Sequence, residues 1–506
     1  MPSSALHKLQ SFHQELYQHA IQATQHITSM NTAEIFAYSR NFQASLPSTW
    51  LPSSIDEVAA RITAAHITLF GDFHTLRQSQ RGFLRILRHI RSREPGRPLM
   101  VALEIFNAED QPAIDEFLAG RLPEDKFLKR IDYHNKWGFP WENYQPIVAF
   151  CAQQGIRVSG INSQFDTPNR LTRRDAFAAN ILNEWAEKNP QQLCLCLIGE
   201  YHLADQHLLA HLNPGIKTVR VVNNIDDYAF SSKKLPTEST DYLRLAQDFF
   251  CVLNTAPWIK WQSLAMWEEF HASWDGTHGD DFDLYTEHQY DFDYQLLHIL
   301  KALNQFMGLK VNTNDLSHFD LYIKPDKATR SYIKAKLKLT RTELSAAERR
   351  CELDGFAYFS PSGTVLLREP SINRFAEIAG FYLYDMLQAP RREGRLNFMQ
   401  RIERQACGTL AASIMNPRRP RVSEEGVDLL RNPERILEDL SRLHEKDKHQ
   451  DFGLSRHLGE YLGSEIFQRL ALGEGQHLEE NLRRVFKSNL LSMLEICSMD
   501  QRPQVA

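Results

Sequence analysis

Between residues 65 and 225 short unbroken apolar runs alternate with longer segments of helical period. The runs are Ile67–Gly71, Leu99–Phe106, Arg157–Asn162, Leu193–Gly199 and Lys217–Asn224. Runs of this length without polar interruption predict strands buried on both faces. Helical segments are expected near 77–93, 110–118, 141–154, 173–188 and 204–212. Strands alternating with helices imply βαβ units, so the expected fold class is α/β, a mainly parallel sheet flanked by helices. Residues 1–60 read as a polar helical lead-in and 61–230 as the α/β core domain. An exposed loop follows at Ser231–Pro236, and Tyr242–Asn254 reads as one further strand. Pro257-Trp258-Ile259-Lys260-Trp261 opens an aromatic-rich helix, and Gly355–Phe359 with Thr364–Arg368 reads as a hairpin. Residues 231–370 are thus an α+β extension, and 371–506, with Phe375, Ile378, Ala379, Tyr382 and Met386 at helical spacing, a largely helical C-terminal region.

Two of the predicted strands end in the same signature, Gly-x-x-His: Gly71-Asp72-Phe73-His74 and Gly199-Glu200-Tyr201-His202. A third, Leu99–Leu103, runs straight into Glu104. Polar groups just past strand C-termini of an open α/β sheet project into the crevice where ligands bind. The pattern therefore expects His74, Glu104 and His202 at one sheet edge, with the glycines allowing a sharp turn. Imidazole and carboxylate either bind a metal or move a proton near neutral pH. A His/Glu/His set suits a divalent metal with an activated water. Without metal, a histidine serves as general base oriented by Glu104. Asp72 and Glu200 read as carboxylates supporting the histidines or as helix caps. Arg77 and Arg81, near the start of the next helix, and Arg174, in Arg173-Arg174-Asp175, are candidates to hold an anionic substrate group.

The aromatic segment 133–144 reads either as the wall of a flat apolar pocket or as a loop packed on the sheet. His278 and Glu287-His288 read as solvated loop rather than as a second metal site. Cys194 and Cys196 read as small core residues, because their spacing lacks the second pair a zinc site would want. The formal net charge of −5 argues against nucleic acid. No apolar stretch approaches the length of a membrane span. The N-terminus lacks the apolar core of a secretory signal, and seven scattered cysteines suit a reduced, cytoplasmic protein.

With these residues in hand, the chain resembles the superfamily that contains the ChaN-like haem-binding proteins, the TIKI and TraB/PrgY proteins and the erythromycin esterases. The resemblance rests on Gly71–His74, Glu104, Arg174-Asp175 and Gly199–His202 in that order, over about residues 60–225. Ala102-Leu103-Glu104-Ile105-Phe106 with Gln111, and Trp141-Glu142-Asn143-Tyr144-Gln145-Pro146-Ile147, are similar to the ChaN-like branch. Asp72 replaces the family's usual glutamate, and no lipoprotein signal is read. The resemblance implies a histidine- and glutamate-lined pocket on an α/β core, in a superfamily whose members cleave peptides with metal, hydrolyse esters or bind haem.

Three functions are expected in order. The first is a hydrolase of peptide or ester bonds, with or without metal, using His74, Glu104 and His202 around a small-molecule or peptide substrate held by Arg77, Arg81, Arg174 and Tyr201. The second is a haem- or porphyrin-binding protein with a histidine or Tyr201 as axial ligand and the 133–144 aromatics against the macrocycle. The third is an interaction protein whose helical C-terminal region binds a protein partner.

Overall fold

The computed structural model describes residues 4–25, 32–164, 170–231, 239–272, 284–360, 362–369, 371–388, 396–420, 433–449, 452–472 and 478–498. The loop carrying His278 lies outside these, as do residues 232–236 and the side chains of Glu287 and His288. The chain divides into two units. One comprises Tyr17–Ser232 and Thr240–Glu268; the other comprises Met1–Leu16, Lys233–Ser239 and Glu269–Ala506.

The first unit is built on an eight-stranded sheet. Its strands are β1 (Leu51–Ser53), β2 (Ile67–Asp72), β3 (Leu99–Asn107), β4 (Arg157–Asn162), β5 (Leu193–Gly199), β6 (Thr218–Asn223), β7 (Asp241–Ala246) and β8 (Phe249–Leu253). Across the sheet they run β1-β7-β8-β6-β2-β5-β3-β4. From β8 to β4 every pairing is parallel, and β7 and β1 add an antiparallel edge. The segment read as one strand, Tyr242–Asn254, is the β7–β8 hairpin. Its polar Gln247-Asp248 lies at the turn between two strands.

Alternate residues of β5 explain why the runs are unbroken. Leu193, Leu195 and Leu197 pack under the helices Arg77–Arg93 and Trp141–Gln153, through Phe83, Ile86, Leu87, Ile147 and Val148. Cys194, Cys196 and Ile198 pack on the other face against Ala178, Ala179 and Leu182 of the helix Arg170–Lys188. Both cysteines are buried and free. They fill space beside a small-residue helix face, as expected of core residues. One expected helix is absent: 204–212 contains only the single 3₁₀ turn Leu208–His211. Pro214-Gly215 ends the segment before a helix can repay its nucleation.

Strand β3 has a break that matters for the site. It pairs with β5 only as far as Leu103, and its register with β4 shifts between Leu103 and Asn107. Glu104 is the first residue of the irregular stretch. A Cβ at Gly160 of β4 would lie 2.5 Å from the Asn107 carbonyl oxygen, so the bulge needs glycine opposite it.

The second unit contains a small sheet, β9 (Asp320–Ile323), β10 (Phe356–Phe359) and β11 (Thr364–Leu367), in the order β10-β11-β9. Its helices include Arg341–Asp354, Ile372–Gln388, Phe398–Met415 and Gly453–Leu472. The expected hairpin is β10–β11, and the helical reading from residue 371 agrees with this structure. Among the described residues no helix is long and apolar enough to cross a membrane.

Gly160→Ala should destabilise the first unit by about 1–3 kcal/mol, since overpacking against backbone cannot relax cheaply. Gly96→Ala is the control, because a Cβ there meets nothing within 4 Å. Denaturant midpoints for the two variants check the contrast.

Candidate functional site

Strands β2, β5 and β3 are neighbours in the sheet, so their C-terminal ends bring His74, His202 and Glu104 together. His74 Nε2 lies 4.0 Å from Glu104 Oε2, and His202 Nε2 lies 3.6 Å from Glu104 Oε1. Glu104 is buried. Its Oε1 accepts from Arg174 Nη2 at 2.5 Å, and its Oε2 accepts from the Gly199 backbone N–H at 2.7 Å. The side chain thus takes over where the β3–β5 ladder stops.

Each histidine is fixed from behind by its own buried aspartate and a tyrosine. His74 Nδ1 donates to Asp72 at 2.9 Å, and the same carboxylate accepts from Tyr144 Oη at 2.7 Å and Gln80 Nε2 at 2.5 Å. His202 Nδ1 donates to Asp175 at 2.6 Å, and Asp175 accepts from Tyr38 Oη at 2.8 Å. Two Tyr–Asp–His chains therefore meet at one glutamate. With both Nδ1 atoms holding protons, the Nε2 atoms are the ones turned toward Glu104.

The two motif glycines work by lacking a side chain. Gly199 has φ −47, open to any residue. A Cβ there would sit 3.3 Å from both His202 Cδ2 and His74 Nε2, and one at Gly71 would sit 3.2 Å from Glu200 Cβ. The expectation of a turn needing glycine's conformational freedom is corrected to one of close approach.

Burial alone would raise the pKa of Glu104. Arg174, His202, His74 and the Gly199 N–H outweigh it and bring the carboxyl from 4.5 down to about 2. Burial alone would lower that of His74. The Asp72 hydrogen bond and the charges of Asp72 and Glu104 win, and His74 is held above 6.5. The site is a network of alternating charges rather than an isolated base.

The other expected residues fall elsewhere. Arg174 is the arginine paired with Glu104; Arg77 begins the helix Arg77–Arg93, and Arg81 lies exposed one turn on. Tyr201 packs on Phe42 with 5.7 Å between rings, and burial pushes its phenol pKa up. Glu200 does not support His202: it is buried against Lys260, 2.8 Å away. The aromatic segment splits. Tyr133, Trp141 and Tyr144 are core, while Trp137 and Phe139 flank the His74 ring, each 4.7 Å from it. Trp267 stacks on Phe139 at 4.6 Å. Sequence reasoning missed Tyr38 and Lys260, which lie far along the chain from their partners, and Gln80, eight residues from Asp72 on the helix that follows it. The motif Trp141-x-x-Tyr144 was the one available signal for Tyr144.

Among the described residues no three His, Cys, Asp or Glu side chains are grouped to hold a metal ion. The expected divalent-metal set of His74, Glu104 and His202 therefore gains no support from this arrangement. The cation paired with Glu104 in this structure is the Arg174 guanidinium.

Residues 58–176 match the family model described as haem-binding uptake, Tiki superfamily, ChaN. That segment is a ChaN-like domain. The match takes in Asp72, His74, Glu104, Tyr144, Arg174 and Asp175 and stops before β5 and His202. A solved structure, "Cofacial heme binding to ChaN of Campylobacter jejuni", is similar at 14% identity, covering 34% of this chain and 87% of that one, with a TM-score of 0.27. No curated protein matches the chain.

In the ChaN-like domain the stabilisation from Glu104 is fully present above pH 4.5 and is lost as pH falls toward 2. Arg174→Met should cost about 3 kcal/mol at pH 7, at the low end for a broken buried pair because Arg174 is partly exposed. Urea unfolding of both proteins from pH 7 to pH 3 checks this. The variant's deficit should shrink at low pH, and equal midpoints at pH 7 would contradict the pairing.

Proposed function

We propose that the strand-end site binds haem, with His74 as the iron-ligating side chain. The observation that carries this reading is the state of His74. Its Nδ1 is committed to Asp72 while its side chain remains 23% exposed, against 7% for His202. An imidazole anchored through Nδ1 by a carboxylate is oriented and made a stronger donor at Nε2. The donor chemistry fits the group. His74 offers nitrogen, and the rings of Trp137 and Phe139 offer apolar faces beside it. The Trp137 indole N–H is buried without a hydrogen-bond partner among the described residues, a donor left for a ligand. Lys136, part-exposed beside Glu109 and Asp110, and Arg174 supply cations suited to carboxylate groups on a ligand. Bound haem would supply redox or ligand-exchange chemistry at iron. The chain's own part is to hold the imidazole and its proton at Nδ1. Tyr201 is the weaker axial candidate, since burial disfavours its phenolate. The family description of residues 58–176 supports the same reading.

A second reading, metal-free hydrolysis of an ester or peptide, draws on the convergence of both Nε2 atoms on Glu104. In it one histidine acts as acid or base, and the alternating charges hold its proton.

Haemin titrated into the full chain should give a saturable Soret band. His74→Ala should abolish it, and Tyr201→Phe should leave it intact. Turnover of ester or peptide substrates with no Soret band, lost in both His74→Ala and His202→Ala, would favour the second reading.

A further inference from the structure

The second unit holds an arginine cluster that the ChaN-like site does not use. A cavity of about 50 Å³ opens between strand β10, the helices Ile372–Gln388 and Phe398–Met415, and the start of Gly453–Leu472. One water takes about 10–15 Å³ on the same scale, so the space suits a group of about four water-sized atoms. Arg350, Arg401, Arg404 and Arg456 line it, against the carboxylates of Asp354 and Glu377.

Most of these charges are already matched. Arg456 pairs with Asp354 and, at 2.9 Å, with Glu460; Arg401 pairs with Asp447 at 2.9 Å. Glu377 is held by Arg374 at 3.3 Å and Arg419 at 2.8 Å. Arg404 is different. Its guanidinium carbon sits 4.9 Å from the Phe381 ring and 5.3 Å from the Tyr358 ring. Its Nε is buried with no hydrogen-bond partner among the described residues. Stacking uses the face of a guanidinium and leaves its in-plane N–H edge available for a planar or tetrahedral oxyanion. A buried charged donor with no acceptor is costly, so an acceptor that enters the cavity gains that cost back.

A second feature sits at the same place. Phe452, another lining residue, has φ 67, a left-handed conformation that is strained for a bulky side chain. Its ring carries Arg401 at 4.5 Å and Arg350 at 5.3 Å. Strain of this kind persists where surroundings hold it, and such positions cluster at ligand clamps.

We propose that this cavity binds a phosphoryl group, either as inorganic phosphate or as the end of a phosphorylated small molecule, with Arg404 donating to its oxygens. The test is calorimetry on the full chain at constant ionic strength, with inorganic phosphate in one arm and glycerol 2-phosphate in the other. Saturable binding in either arm is expected, and the arm that binds more tightly identifies the source. Arg404→Met should weaken it about tenfold or more, the loss expected for a charge-assisted hydrogen bond. Hydrogen exchange on the wild type is the readout independent of any variant: the ligand should slow exchange within Phe398–Met415. No saturable binding in either arm, binding unchanged in Arg404→Met, or no added protection of that helix would overturn the proposal.

Discussion

A carboxylate buried at a break in a sheet organises the first unit's site. Glu104 stands where β3 leaves its ladder with β5, and it accepts the Gly199 N–H that the ladder no longer satisfies. Burying that charge is affordable only because Arg174 meets it at 2.5 Å and two imidazoles face it. The arrangement works in both directions. The Glu104 charge helps to raise the pKa of His74, and its neighbours keep Glu104 ionised far below the ordinary carboxylate range.

The two histidines reach this point by parallel routes. Each follows one of two adjacent parallel strands, β2 and β5, and each is backed by an aspartate that also receives a tyrosine hydroxyl. Asp72 comes from the end of β2, but Asp175 comes from the helix Arg170–Lys188, so the likeness is chemical rather than a repeat of one backbone unit. The halves differ in access. His74 is the more exposed and lies against Trp137 and Phe139, which is why the ligand is assigned to that side.

Much of this was legible from residue order. Runs buried on both faces show up as unbroken apolar stretches, and polar residues at their ends fall at one sheet edge whatever the strand order. That logic reaches His74, Glu104 and His202, and neighbouring helix starts reach Arg174 and Asp175. It fails where a partner is set by three-dimensional packing alone. Tyr38, Gln80 and Lys260 carry no local pattern that tells a buried hydrogen bond from a solvated side chain. Glu200 illustrates the failure in reverse: its place in the Gly-x-x-His motif suggested support for His202, yet the turn directs it to Lys260. The β7–β8 hairpin was read as one strand because its turn is too short to break the apolar pattern.

The most direct test of the Glu104-centred account is the imidazole titration of His74, followed by NMR in the wild type and in Glu104→Gln. If one carboxylate ties the site together, His74 titrates above 6.5 in the wild type and its pKa falls when that charge is removed, with the Asp72 hydrogen bond still in place. A His74 titration unchanged by Glu104→Gln would mean that the two groups are neighbours without coupling, and the shared site would be contradicted.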